Sequence, residues 1–182
     1  RNAVEKIVKD ALSAYGFLAG DFRRVEISHV VNIRKGMHLV FSTGVPCLCG
    51  RHSQSSLGGK ITALFSVAGG RNGVYASRCF SLLALAMETP GETGNFCWQA
   101  LESLKMHLVE ENGLETLDSR EQWRNFSMKT GCDEDILVAA ASDACFRPGG
   151  IPPDERKEIL LRTWNIVERY FGVEPDALRG DE

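Results

Sequence analysis

The sequence predicts an α+β fold: an N-terminal helix, a small sheet of about four strands, and a C-terminal layer of four to five helices. Three observations predict it. Apolar residues recur with the helical period over residues 3–15. They alternate with period two in four runs between residues 25 and 80. Helical periodicity then returns and holds to the end of the chain.

Val4, Ile7, Val8, Ala11, Leu12 and Tyr15 fall on one face of the first helix, which Asn2 can cap and Gly16 can stop. Val25, Ile27, His29 and Val31 alternate with Glu26, Ser28 and Val30, a strand pattern. Met37, Leu39 and Phe41 repeat it, and Arg34, Lys35 and Gly36 suit the turn between the two runs. The segment from Thr43 to Gly59 is longer than an ordinary connection, so it is read as functional or partly helical. Lys60 to Ala68, with Ile61, Ala63, Phe65 and Val67 on one side, reads as a third strand. Asn72-Gly73 between strand-like runs marks a hairpin, because both residues tolerate positive φ. Val74 to Phe80 is the fourth strand, and Ser81 to Met87 a buried helix ended by Thr89-Pro90-Gly91.

The remainder reads as helices. Cys97, Ala100, Leu101, Leu104 and Leu108 share one face, closed by Asn112-Gly113. Ser119 and Gln122 form a capping-box pair before Trp123 and Phe126. Asp133 caps a helix with Ile136, Leu137, Ala140, Ala141 and Ala144 inward. Pro152-Pro153-Asp154 opens the last one, whose stripe is Ile159, Leu160, Thr163, Val167 and Phe171 and whose stop is Gly172.

Of the 182 residues, 43% are hydrophobic and 25% charged, and the formal net charge is -3. This excludes a disordered tail, a fibrous repeat and a strongly basic nucleic-acid coat. The total conceals an asymmetry: residues 1–94 carry +5 and residues 95–182 carry -8. The chain therefore reads as a basic helix-plus-sheet part (1–94) and an acidic helical part (95–182), packed together as one unit. No apolar run approaches the roughly 20 residues of a membrane span. Arg1 in place of an initiator Met implies a longer parent chain. Six cysteines in a chain able to build its own core read as reduced thiols, hence a cytoplasmic or other reducing compartment.

Chemistry is expected at two places. Gly69, Gly70, Arg71, Asn72 and Gly73, with Thr43 and Gly44, can offer backbone N–H groups and a guanidinium to an anion, although the spacing matches neither standard phosphate loop. Cys47, Cys49 and His52, beside Arg51, are a candidate metal or thiol site, with ligands spaced more tightly than in a zinc knuckle. His107 reads as marginal to the Leu104/Leu108 stripe. Asp133-Glu134-Asp135 and Asp154-Glu155 are explained by helix N-termini. Arg23, Arg24, Arg34, Lys35, Arg51, Lys60, Arg71 and Arg78 give the sheet part a basic rim. Phe41 and Phe65 share strand faces with aliphatic residues, so they read as core and not as base-stacking platforms.

The function these features favour is a regulatory or interaction domain that binds a protein partner or small anionic ligand through the basic end of its sheet. An RNA-binding domain is the weaker alternative, and no membrane partner is expected. The order of helix, Val25-to-Val31 strand, Met37-to-Thr43 strand, loop, Ile61-to-Val67 strand, then Gly69-to-Gly73 into an apolar helix resembles part of the flavodoxin-like FMN reductases. That resemblance implies a flavin- or nucleotide-dependent oxidoreductase, with Thr43 to Cys47 and Gly69 to Gly73 near the cofactor.

Overall fold

The computed structural model describes residue 8, residues 29–40, 47–48, 51–133 and 151–175. The chain divides into two compact units, Arg1–Thr43 and Gly44–Glu182. Residues on both sides of position 94 therefore belong to one unit. The helices expected over residues 3–15 and after Asp133 fall outside the described residues, Val8 excepted.

The described part of the first unit is a hairpin. β1 (His29–Asn32) pairs antiparallel with β2 (Met37–Val40), in the register His29 to Val40 and Asn32 to Met37. The turn closes with Lys35 N–H donating to the Asn32 backbone and side-chain oxygens, both at 3.2 Å. β1 takes in the end of the first expected strand, and β2 the start of the second.

The second unit overturns the α+β expectation. Its described residues form five helices: α1 (Gln54–Ala68), α2 (Gly73–Glu88), α3 (Thr93–Asn112), α4 (Ser119–Thr130) and α5 (Pro153–Phe171). The third and fourth expected strands are α1 and the first half of α2. Among the described residues there is no sheet of about four strands, only the two-stranded hairpin, and the described chain is mostly helical. With those strands goes the resemblance to flavodoxin-like reductases, which required a strand over Ile61 to Val67.

The physical reason is visible in what each segment buries. In α2 the buried residues are Gly73, Ala76, Cys79, Leu82, Leu83 and Ala86, a helical stripe that runs unbroken past Phe80 with no turn residue to divide it. In α1, Leu57, Ile61 and Phe65 also follow a four-residue step. This stripe faces outward, Phe65 being 73% exposed, so Phe65 is not a core residue. No residue of α1 is buried, and the period-two pattern there reflects its composition and not a half-buried strand.

Gly69 to Gly73 thus join two helices. Gly73 sits where α2 begins against the end of α1, and a Cβ built there would lie 2.0 Å from the Ala68 carbonyl oxygen. Only glycine permits that approach.

The core forms between α2, α3, α4 and α5. Leu101, Leu104, Phe126, Ala100 and Cys79 are fully enclosed, with Leu160 and Val109 nearly so. A chain of aromatic rings runs through it: Trp98 stacks on Trp123 at 4.8 Å, Trp123 meets Phe126 edge-on at 5.6 Å, and Phe126 stacks on Tyr170 at 5.7 Å. Lys105 is buried with its ammonium 4.8 Å from the Trp123 ring centroid, a cation–π contact that offsets the loss of water.

The expected helix ends hold in α3 and α5. Gly113 follows α3 at φ 64°, in the left-handed region, and donates to Val109 O. Asp154 and Glu155 occupy the first turn of α5, and Gly172 closes it. At α4 the cap is one residue earlier than expected: the Asp118 carboxylate accepts from Glu121 N–H at 2.8 Å. Gln122 instead donates to the Leu117 carbonyl at 3.0 Å.

Arg156 of α5 ties three elements together. Its Nη2 donates to the Met87 and Ala86 carbonyls at 2.9 and 3.3 Å, and its Nε donates to Thr93 Oγ1 at 2.9 Å. Thr93 Oγ1 in turn donates to Ala86 O at 2.9 Å. The orphan carbonyls ending α2 are thereby satisfied at the point where α3 starts. Among the described residues, no helix is long and apolar enough to cross a membrane.

Candidate functional site

The α1–α2 turn, the C-terminal end of α3, the end of α4 and the end of α5 surround a cleft of about 600 Å³. Gly70, Arg71 and Asn72 come from the turn, Glu110, Glu111 and Asn112 from α3, Lys129 from α4, and Tyr170 and Phe171 from α5. This volume is in the range of small-molecule sites.

His107 and Tyr170 give the cleft a polar anchor. His107 Nδ1 lies 2.7 Å from the Tyr170 hydroxyl, and its Nε2 lies 3.4 Å from the Glu111 carboxylate. The imidazole thus bridges the Tyr170 phenol of α5 and the Glu111 carboxylate of its own helix. Burial pushes the Tyr170 phenol well above its ordinary value, and the charges of Glu111 and Cys79 push it the same way. It is therefore a proton donor and not a phenolate.

The charges around the cleft are not paired with one another. Among the described residues, no carboxylate lies within ion-pair distance of Arg71 or Lys129. Among the described residues, Glu110 meets the Tyr75 hydroxyl at 3.4 Å and Glu111 the His107 imidazole at 3.4 Å. Both carboxylates occupy the last turn of α3, which carries no basic residue. The helix dipole is already negative there, so the sequence places acid where a helix alone would favour base.

The glycine-rich turn contributes differently from the sequence expectation. The N–H groups of Gly69, Gly70 and Gly73 already donate to the carbonyls of Phe65, Val67 and Gly70, at 2.9, 3.0 and 3.1 Å. Those three donors are spent on the turn, and the charged group the turn adds to the cleft is the Arg71 guanidinium. Gly73 itself is buried packing. Thr43 and Gly44 lie outside the described residues.

The second expected site resolves into an ion cluster. Arg51 donates from Nε and Nη2 to the two Glu168 carboxylate oxygens at 3.1 and 2.5 Å, a bidentate pair. His52 Nε2 is 3.1 Å from Glu168 Oε1, and Lys60 Nζ is 2.9 Å from His52 Nδ1. An ammonium only donates, so Nδ1 accepts and Nε2–H donates to Glu168. Both ring nitrogens of His52 are thus engaged. The hydrogen bond to Glu168 holds the Arg51 guanidinium above its ordinary value, against the opposing effect of burial. Cys47 is half-buried near Arg51, and Cys49 lies outside the described residues. Among the described residues, no three His, Cys, Asp or Glu side chains gather as metal ligands. The cluster ties the start of α1 to α5.

His107 and Tyr170 were missed because they are distant in sequence and each looks like ordinary helix-stripe filling. The one available signal was Glu110-Glu111 immediately before the Asn112-Gly113 stop, against the usual dipole preference.

Fold and cleft together define a small helical domain with a mixed-charge pocket at one end of its third helix. The chain belongs to the family described as the C-terminal domain of a domain of unknown function, DUF8168, whose model matches residues 61–174. The match takes in all the cleft residues and stops short of Arg51, His52 and Lys60. No curated protein and no solved structure matches the chain.

Proposed function

We propose that the helical unit is a binding domain for a small ligand, held in the cleft through an anionic group on Arg71 and Lys129. The observation that carries this reading is that both cations line one concave site, with no carboxylate among the described residues paired to either. A small ligand is favoured over a protein partner because the charged groups converge on a recess, with a buried hydroxyl–imidazole pair among its lining. The burial of the Cys79 and Cys97 thiols among apolar side chains supports a reducing compartment as the place of action.

The test is a titration of the full chain, labelled with nitrogen-15, using linear dicarboxylates and ω-amino acids of two to six carbons. Saturable shifts of the Arg71, Asn72 and Lys129 amides are expected, weakened in an R71A/K129A variant. No saturable shift at those amides with any of the probes overturns the proposal.

A further inference from the structure

We infer that the ligand of this cleft is a zwitterion, whose cationic group is received by Glu110 and Glu111 at the C-terminal end of α3; this rests on the cleft being a binding site. Two observations beyond the basic pair lead there. The carboxylates stand in the last turn of a 20-residue helix that has no basic residue in that turn, so helix dipole and side chains concentrate negative potential at one place. Their contacts are with the Tyr75 hydroxyl, 3.4 Å from Glu110, and the His107 imidazole, 3.4 Å from Glu111. Among the described residues, neither carboxylate has a lysine or arginine within ion-pair distance.

A purely anionic ligand would meet Arg71 and Lys129 but also this negative end. A purely cationic one would meet the reverse difficulty. A ligand with an ammonium or guanidinium at one end and a carboxylate at the other answers both sets of charges at once, leaving neither repelled. Selection against singly signed competitors follows from the same arrangement.

The test compares three probe series of equal length against the full chain: linear ω-amino acids from glycine to 6-aminohexanoate, the corresponding dicarboxylates, and the corresponding diamines. Amide shifts at Arg71, Asn72, Glu111 and Lys129 are the readout. At least one ω-amino acid is expected to bind about tenfold or more tightly than the dicarboxylate and the diamine of its length. The E110Q/E111Q variant, whose amides keep the hydrogen-bonding shape, is expected to erase that preference and leave or improve dicarboxylate binding. If a dicarboxylate binds as tightly as every ω-amino acid, the zwitterion inference is overturned while the anion site stands. If no series shifts the cleft amides, both are overturned. If the preference survives in E110Q/E111Q, the cationic group is received elsewhere and the inference again fails.

Discussion

The Tyr170 hydroxyl and His107 Nδ1, 2.7 Å apart, join α5 to α3 beside the cleft. The contact is buried, and the phenol ring is held by stacking on Phe126 and edge contact with Phe171, 5.1 Å away. Tyr170→Phe keeps that packing and removes the hydroxyl that His107 Nδ1 hydrogen-bonds with. Urea unfolding of the variant is expected to show a loss of about 1–2 kcal/mol. Unchanged stability would mean that the pair is not formed in solution.

Gly73→Ala is expected to be costly for a different reason. Its new methyl group would meet the Ala68 backbone carbonyl at 2.0 Å, so α1 and α2 must separate. Overpacking of this kind costs about 1–3 kcal/mol. Gly91→Ala serves as the control, since a Cβ there meets nothing within 4 Å. Equal stability of the two variants contradicts the close helix approach.

Arg156→Lys tests the clamp on α2. A lysine retains the charge but has one donor group in place of the planar fork that reaches Met87 O, Ala86 O and Thr93 Oγ1. A loss of about 1.5–3 kcal/mol is expected by thermal or urea unfolding. A lysine variant as stable as the parent would show that charge alone suffices.

Removing Arg51 leaves the nearly buried Glu168 with His52 as its one side-chain partner among the described residues. Arg51→Met is expected to destabilise by about 3 kcal/mol. The double change Arg51→Met with Glu168→Gln should recover part of that loss. A double variant worse than the sum of the two single ones would refute the pairing.

Alkaline pH should weaken the fold. Burial pushes the Cys97 thiol from 9.0 up to about 11, with Thr163 and Arg156 pulling it partly back. Burial moves the Cys79 thiol upward as well. A thiol kept protonated only in the folded state contributes stability that is complete below the unfolded value. That contribution is lost as pH rises through the folded one. The urea midpoint is therefore expected to fall between about pH 9 and pH 11, and to fall less in a Cys97→Ala variant. An equally steep fall in that variant contradicts the assignment.

The helical half was legible wherever a cap or stop coincided with a one-sided stripe, as in α3 with Cys97 to Leu108 before Gly113, and in α5 after Pro152. It was misread where such signals conflicted. Ile61, Ala63, Phe65 and Val67 alternate because both faces of α1 are apolar, and the exposed Phe65 gave no hint of which period governs. Asn72-Gly73 has the composition of a hairpin turn, yet its glycine serves close packing between helices. Of the candidate site, Arg71 and Asn72 were identified from sequence. His107, Glu111, Lys129 and Tyr170 reach the same cleft only through the packing of α3, α4 and α5, which no local pattern encodes.

The amide shifts of Arg71, Asn72 and Lys129, followed side by side in the parent chain and in R71A/K129A during titration with ω-amino acids and dicarboxylates, bear most directly on the cleft as a binding site. Saturable shifts in the parent, weakened at least about fivefold in the variant, are predicted. Shifts that never saturate, or that are identical in both chains, would contradict it.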